Sequence, residues 1–276
     1  MSATRLPTYF LSHGAGPWPF MTGVFRRQFA KLEQALGETG EELSSANALL
    51  VVSAHWETDG FAISSDARPA MIYDYTGFPD DTYRIRYAAP GDTRLAEQVL
   101  RLLRDGGMEQ ARLDPERGYD HGTFSILKAM FPLADKPVVQ LSLDRTLDPR
   151  LHLEVGRLLA PLRNEGIAII GSGQSFQNLA LRDARAIHPS AHFDAWLQHV
   201  LVQASPGKRQ ESLVRWEDAP YARLAHPREE HLIPLMVAVG AAGDDAGECI
   251  YQEQLAGVMT AASFRFGFAP LPRQVP

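Results

Sequence analysis

Two patterns of apolar residues alternate along the chain. Short apolar runs predict β-strands, and segments in which apolar positions recur every three or four residues predict helices. The candidate strands are residues 6–11, 49–54, 61–64, 138–143, 167–171 and 263–268. The run at 49–54 (LLVVSA) is almost wholly apolar, which is typical of a strand buried on both faces. This alternation predicts an α/β fold.

Five segments between these runs have helical periodicity. The apolar positions of the first three are Phe25, Phe29, Leu32 and Leu36; Leu95, Val99, Leu102 and Leu103; and Leu151, Val155, Leu158, Leu159 and Leu162. The sequence Asp-Gly-Gly at 105–107 ends the second helix. The last two helices are predicted at residues 192–203 and 231–242. Residues 68–92 fit neither pattern and predict a long ordered loop, which is either functional or a packed connection.

Histidines follow two of the predicted strands. His13 comes after the first strand in LSHG, and His55 comes after the second in VVSAHW. Ligands bind at the carboxyl ends of strands in open α/β sheets. If these strands are neighbours, about 5 Å apart, both rings could reach one metal ion. Imidazole is the commonest metal ligand, although a hydrogen-bonded structural role is the alternative for each ring.

A third histidine, His231, lies in HPREEHLIPL. Pro227 suits the first turn of a helix, which would place His231 about one turn in. Glu229 and Glu230 suit a helix start through the helix dipole. Glu230 and His231 would project about 100° apart on that helix, so we do not expect them to bind one metal together. His226 precedes the proline and is expected to support His231 from outside the metal's ligand set.

His121 lies in YDHGTFSILKAMF. Asp120 can cap a helix, and Gly122 lets a ligand approach the backbone. The sequence therefore predicts that His121 lies at the mouth of a helix, where it can donate or accept a proton.

Length and charge restrict the possible classes of protein. The 276 residues are 45% hydrophobic, so we expect one domain, residues 1–276. The net charge is −6 and no block of like charges stands out, so neither nucleic acid nor an anionic membrane is expected as a main partner. The chain leaves the oligomeric state open.

The single cysteine, Cys249, excludes an internal disulfide, a thiolate-rich zinc site and an iron–sulfur cluster. The N-terminal residues lack the pattern of a signal peptide, and no apolar run reaches the roughly 18 residues that span a bilayer. These features favour a cytoplasmic protein.

Several segments together resemble a known family. They are LSHGAGPW (11–18), VVSAHWET (51–58), YDYTGFP (73–79), YAAPGD (87–92), DHGTFSILKAMFP (120–132), PVVQLSLD (137–144), IIGSGQSFQNL (169–179), HPREEHLIPLMVAVGAAG (226–243) and SFRFG (263–267). In this order they resemble class III extradiol ring-cleavage dioxygenases, in particular the branch similar to 4,5-DOPA extradiol dioxygenase.

This resemblance implies a three-layer αβα domain around a mostly parallel sheet. It also implies a non-haem Fe(II) site, in which Zn(II) is sometimes found, and the opening of a catechol-type ring with O₂. The metal ligands would be His13, His55 and His231, and His121 would be the active-site histidine near the substrate. Three neutral imidazoles would leave the site at the metal's charge of +2, which favours a catecholate substrate.

Substrate contacts are expected from aromatic residues. Tyr75, Phe78 and Tyr83 would wall the ring, and Trp18 would close the other side. The alternative is that these side chains only fill the core.

One position departs from the family pattern. Gln177 in QSFQNL stands where the family has a proton-transfer histidine. Glutamine forms hydrogen bonds but carries no proton at neutral pH. Two alternatives to the dioxygenase therefore stay open. One is a zinc enzyme of the hydrolase type, and the other is a catalytically weak relative that binds a small aromatic ligand.

Overall fold

One mixed sheet of eight strands runs through residues 5–268, which the computed structural model describes. The strands are β1 (Thr8–Ser12), β2 (Ala48–Thr58), β3 (Ala62–Ser64), β4 (Arg112–Asp114), β5 (Val138–Asp144), β6 (Ile167–Gly173), β7 (Gly247–Leu255) and β8 (Met259–Phe266). Their order is β4-β3-β5-β2-β6-β1-β8-β7. The four central strands, β5, β2, β6 and β1, are parallel to one another, and β8 and β7 continue the sheet in antiparallel pairing.

Helices cover both faces of the sheet. They are α1 (Gly23–Arg27), α2 (Ala30–Glu42), α3 (Thr93–Asp105), α4 (His121–Met130), α5 (Pro149–Leu159), α6 (Ile187–Gln198), α7 (Pro206–Val214), α8 (Ala222–Ala225) and α9 (Ile233–Ala242). Along β2, Leu50 and Val52 belong to the core that contains α3, α5, α6 and α9. Leu49 and Val51 belong to the core that contains α2 and α4. The period-two alternation of a strand thus supplies both cores, and the predicted three-layer αβα fold is confirmed.

The predicted strands and helices occur with shifted bounds. The first predicted helix is two helices, α1 and α2, and the predicted helix at 192–203 is the end of α6 followed by a π-helical turn, His199–Gln203. Two strands were missed by the pattern. β4 has only three residues, and β7 (GECIYQEQL) is a half-exposed strand at the edge of the sheet with few apolar positions. Within residues 5–268, no helix has the length and apolar character needed to cross a membrane.

The strand order corrects one expectation about the histidines. β1 and β2 are not neighbours, because β6 lies between them and pairs with both. β2 also continues beyond residue 54 and includes His55. Its pairing with β6 ends at Ser53, and its register with β5 shifts between Val52 and Glu57. His55 therefore lies in the irregular end of a strand and not after it.

Candidate active site

Four histidine rings from four separate segments of the chain meet at the carboxyl end of β6. His13 follows β1, His55 lies in β2, His121 is the first residue of α4, and His231 lies in the turn before α9. The ring centroids of His13, His55 and His231 form a nearly equilateral triangle with sides of 4.9, 5.0 and 5.2 Å. The Nε2 atoms of His13 and His55 are 3.4 Å apart. The structure thus brings together the four histidines that the sequence singles out.

Small residues at the end of β6 allow this convergence. A Cβ atom on Gly171 would lie 2.3 Å from the carbonyl oxygen of Pro234, and one on Gly173 would lie 2.1 Å from the carbonyl oxygen of His231. Because β6 carries no side chain at either position, the turn before α9 packs directly on the strand. The backbone N–H of Gln174 then donates to the carbonyl oxygen of His231 over 3.0 Å, which fixes the turn.

Hydrogen-bond partners outside the cluster orient three of the rings. The Nδ1 atom of His13 is 3.3 Å from the hydroxyl of Ser172, which itself donates to the carbonyl of Gly122. The Nδ1 atom of His55 is 3.2 Å from Asp74, and that of His231 is 2.8 Å from Glu230. Each Nδ1 therefore donates outwards, so that the Nε2 lone pair points inwards.

His121 is held by the start of its helix. Asp120 is the cap of α4, as predicted, and its carboxylate accepts hydrogen bonds from the amide of Thr123 and the hydroxyl of Ser53. The Nδ1 atom of His121 is 2.9 Å from Asp74. Its ring centroid is 4.1 Å from that of His55 and 5.9 Å from that of Tyr75. His121 thus lies between the other histidines and the aromatic loop.

Burial and nearby carboxylates set the charge of the rings. Burial lowers the pKa of His13 well below its usual value and lowers the pKa of His231 to about 4, although Glu230 opposes the second shift. Burial also lowers the pKa of His55, but hydrogen bonding to Asp74 and the charges of nearby carboxylates outweigh it and raise that pKa. The cluster therefore combines two rings that burial keeps neutral, His13 and His231, with a field at His55 that attracts positive charge.

A divalent metal ion fits this arrangement. Two lone pairs facing each other, as on His13 and His55, repel unless a cation lies between them. Two nitrogens that each bind a metal at about 2.0–2.1 Å are about 3.0–3.4 Å apart at usual angles, as these two are. The Nε2 atom of His231 is buried without a hydrogen-bond partner among the described residues. The nitrogens of His13, His55 and His121 also lie within 4.8 Å of one another.

The loop at residues 68–92 is ordered and folds over this end of the sheet. It contains an isolated bridge between Met71 and Tyr119 and a short 3₁₀ helix, Asp80–Arg84. Tyr75 is buried, and its ring is 5.3 Å from that of Phe78 and 5.2 Å from that of Tyr83. These aromatic residues thus form one cluster, and Tyr75 joins it to His121.

Trp18 does not lie where the sequence suggests. Its side chain is 0% exposed and stacks on Phe29 at 5.2 Å between centroids. Its indole nitrogen donates to the carbonyl oxygen of His13 over 2.9 Å. This burial leaves no surface for a substrate, so the expectation that Trp18 closes the substrate site is wrong. The residue instead fixes the turn that carries His13.

Gln177 and His226 lie on neighbouring segments. Gln177 is half-buried in the loop after β6, and its backbone N–H donates to the carbonyl oxygen of Ala225 over 2.9 Å. His226 is fully buried and lies 3.2 Å from the carbonyl oxygen of Ser175 through Nε2. The contact that holds the ring of His231 comes from Glu230 and not from His226.

The helix start predicted at Pro227 is also wrong. α9 begins at Ile233, so His231 precedes it and Glu230 is not a residue of a helix's first turn. The sequence reasoning therefore missed Glu230 as the partner of His231. It also missed Asp74, although a lone carboxylate between two tyrosines in an aromatic loop was a usable signal.

The comparisons with known proteins agree with the family resemblance seen in the sequence. The family model of the catalytic LigB subunit of aromatic ring-opening dioxygenase matches residues 7–267. A protein named 4,5-DOPA dioxygenase extradiol from Portulaca grandiflora is 41% identical over 236 residues, which cover 79% of this chain and 82% of that protein. The protein of the same name from Beta vulgaris is 38% identical and covers 94% of this chain and 96% of its own length.

A bacterial relative and a solved structure agree with these matches. The Escherichia coli K12 protein named 4,5-DOPA dioxygenase extradiol is 35% identical over 87% of both chains. The crystal structure of an uncharacterized protein from the same organism has a TM-score of 0.76 at 30% identity, over 95% of this chain and all of that one. Since the family model spans nearly all the described residues, this chain belongs to the LigB family of aromatic ring-opening dioxygenases.

Proposed function

We propose that this enzyme uses Fe(II) held by His13, His55 and His231 to open the ring of a catechol-type substrate with O₂. Membership of the family makes the protein a metal-dependent aromatic ring-opening dioxygenase. The metal, the ligand set and the substrate class are the proposed parts. The observation that carries the proposal is the triangle of three rings with Nδ1 bound outwards and Nε2 turned inwards.

The choice of His231 over His121 as the third ligand rests on symmetry. The three centroid distances among His13, His55 and His231 differ by only 0.3 Å, as expected for rings that each point one nitrogen at a common centre. The ring of His121 is 4.1 Å from that of His55, too close for two rings radiating from one metal. Its contact with Tyr75 instead favours a place beside the substrate.

The residues around the substrate ring would have separate roles. His13, His55 and His231 would hold Fe(II), which would supply the redox chemistry that joins the catechol to O₂. His121 would accept a proton from a catechol hydroxyl, because its Nδ1 faces a carboxylate and its Nε2 is free to do so. Tyr75, Phe78 and Tyr83 would wall the substrate and exclude water.

Asp74 and Glu230 change the expected charge of the site. The sequence suggests a site of three neutral imidazoles at +2, but two carboxylates contact the rings from outside. They offset part of the metal's charge. The substrate therefore does not have to be a dianion to balance the site, and a monoanionic catecholate suffices.

Gln177 would act as a hydrogen-bonding residue on the far side of the substrate. An amide can orient a water molecule or a substrate oxygen, but it cannot relay a proton by itself. The second proton transfer then passes through water or through an ionisable group of the substrate. Family membership answers the choice between a dioxygenase and a hydrolase. The catalytically weak relative is the alternative that the experiment has to exclude.

The test is oxygen uptake by protein loaded anaerobically with Fe(II) and exposed to a panel of catechols. We expect uptake that depends on both iron and catechol and yields a yellow ring-opened product. Metal-free and Zn(II)-loaded protein are the controls, since zinc has no redox chemistry. Stabilisation by catechols without oxygen uptake, on fully iron-loaded protein, would contradict the proposal and identify a binding relative.

A further inference from the structure

One carboxylate contacts two histidines of the site at once. Oδ2 of Asp74 is 3.2 Å from Nδ1 of His55, and Oδ1 is 2.9 Å from Nδ1 of His121. We infer that Asp74 is a shared positioning residue, which sets the tautomer of both a metal ligand and the proton-transfer histidine. The inference rests on the proposed function for the roles of the two rings.

The position of Asp74 is fixed from both sides. Its Oδ1 also accepts the backbone amide of His121 over 2.9 Å, so the carboxylate is bound to the first turn of α4. The loop on either side is held by the bridge from Met71 to Tyr119 and by the hydroxyl of Tyr75, which donates to the carbonyl of Thr82. The carboxylate is therefore held in place independently of the two imidazoles.

An ionised carboxylate can only accept hydrogen bonds. A ring nitrogen without hydrogen, 2.9 or 3.2 Å from such an oxygen, would set its lone pair against the negative charge, whereas an N–H there is attracted to it. Each Nδ1 that faces Asp74 must then carry a hydrogen, so each Nε2 keeps its lone pair. In His55 that lone pair is the one a metal ion needs. In His121 it is the one that accepts a substrate proton, and the resulting imidazolium would lie against the negative charge of Asp74.

Asp74 differs from the other carboxylate that contacts these histidines because it contacts two rings. Among residues 5–268, the carboxylate of Glu230 lies within hydrogen-bonding distance of one ring, that of His231. Replacing Asp74 by asparagine keeps the shape but offers one acceptor atom and one donor group. The donor would face an Nδ1–H, so that one of the two rings has to turn or move its hydrogen to Nε2. Either change removes a lone pair that the proposed chemistry uses.

The experiment reads the tautomers directly in the full-length chain. Long-range ¹H–¹⁵N NMR of ¹⁵N-histidine protein, assigned with single histidine variants, reports which ring nitrogen carries hydrogen. For the wild type we expect Nδ1–H on His55 and His121, both in the protein without added metal and after addition of Zn(II). In Asp74→Asn we expect Nε2–H on at least one of them.

Zinc affinity gives the second readout. Partners that orient a metal-ligating histidine typically contribute about 10–100-fold to metal affinity. We expect Asp74→Asn to lose that factor in competition with a chelating dye, and Asp74→Glu to recover part of it. Tyr73→Phe is the matched control, because it removes a hydrogen bond of the same loop, to the carbonyl of Ile85, without touching the carboxylate. It should leave the tautomers and the affinity unchanged.

The result that would overturn the inference is a wild type in which either ring carries hydrogen on Nε2 and none on Nδ1, a measurement that needs no variant. Unchanged tautomers together with zinc affinity within about twofold in Asp74→Asn would do the same. Failure of the proposed function would look different. A wild type that binds no metal at this cluster, or consumes no oxygen, rejects the dioxygenase proposal, whereas the tautomers still decide the role of Asp74.

Discussion

Gly173 and His231 are in backbone contact. A Cβ atom on Gly173 would lie 2.1 Å from the carbonyl oxygen of His231 and 3.0 Å from the ring of Phe10. Gly173 pairs with Ser12 of β1, and the carbonyl oxygen of His231 accepts a hydrogen bond from the backbone N–H of Gln174, so both groups are held in place. The position of one histidine of the site is thus set by the absence of a side chain on β6.

Gly173→Ala should therefore displace His231. We expect zinc affinity to fall by at least about tenfold, and the free energy of unfolding to fall by about 1–3 kcal/mol through overpacking. Chelator competition and urea unfolding measure the two effects. Gly207→Ala in α7 is the control, since nothing lies within 4 Å of its added Cβ, and it should be neutral or slightly stabilising. Wild-type values for Gly173→Ala would show that the turn moves freely.

Alanine variants of the histidines separate ligands from the proton-transfer residue. We expect His13→Ala, His55→Ala and His231→Ala to lose most bound metal, because each would remove one of the three proposed ligands. His121→Ala should keep its metal and lose about 10²–10⁴-fold in rate. Metal analysis after dialysis and oxygen uptake provide the two readouts. If His231→Ala kept the metal and His121→Ala lost it, the ligand assignment would be reversed.

Tyr83→Ala tests the aromatic wall. Tyr83 packs against Tyr75, which in turn contacts His121. Removing the ring should raise the KM for an accepted catechol and leave metal content unchanged, because Tyr83 contacts none of the proposed ligands. Steady-state kinetics with metal analysis of the same sample decide this. Unchanged kinetics would mean that the loop only packs against the sheet.

Gln177→His tests the position where the chain departs from its family. A positioned acid or base contributes about 10²–10⁴-fold to rate, so a histidine here should speed turnover of a simple catechol. It should also add an ionisation to the pH–rate profile at about pH 6.5, the usual value for histidine, within about one unit either way. A slower rate on every accepted substrate would show that the amide binds a substrate substituent. No change in either readout would place residue 177 outside the chemistry.

Acid stability should depend on His226. Burial lowers its pKa to about 3 in the folded protein, against a usual value of 6.5. The unfolded chain then binds a proton that the folded protein does not, so stability is present above pH 6.5 and is lost as the pH falls towards 3. The loss is at most about 1.4 kcal/mol per pH unit for one group.

His226→Phe should show a shallower fall in stability with acid. At neutral pH it should be less stable by about 1 kcal/mol, because its hydrogen bond to the carbonyl of Ser175 is lost. Urea unfolding of metal-free protein between about pH 7.5 and about pH 4.5 measures both effects. His199→Gln, at an exposed position, is the control and should follow the wild type. A wild-type slope in His226→Phe would contradict the burial argument.

Local patterns predict the elements of this fold well and their mutual arrangement poorly. Apolar periodicity predicts the central strands, and the placement of His13 and His55 near strand ends predicts a shared site. The strand order is not a local property, so nothing near His13 or His55 shows that β6 lies between them. The two rings meet across the end of β6, and Gly171 and Gly173 let the turn that carries His231 pack on the same strand end.

Contacts distant in sequence account for what was missed. Asp74 is 47 residues from His121, and neither segment contains a signal for the other. The helix start was misplaced for a different reason. Pro227 and two glutamates satisfy the usual rules for a helix beginning, but Glu230 forms its hydrogen bond with His231, and α9 begins at Ile233 with Pro234 in its first turn. The local preference was outweighed by a contact at the site.

The loop that carries Asp74 also carries Tyr75 and Tyr83, so on the proposed function metal binding and substrate binding draw on the same ordered segment. A metal ion on His55 would stabilise the ring that Asp74 contacts, and a substrate against Tyr75 would stabilise the loop that carries Asp74. Thermodynamic linkage makes such an effect reciprocal, so the factor by which metal tightens substrate binding equals the factor by which substrate tightens metal binding. A weakly held metal ion would then be retained best while the enzyme is saturated with its substrate.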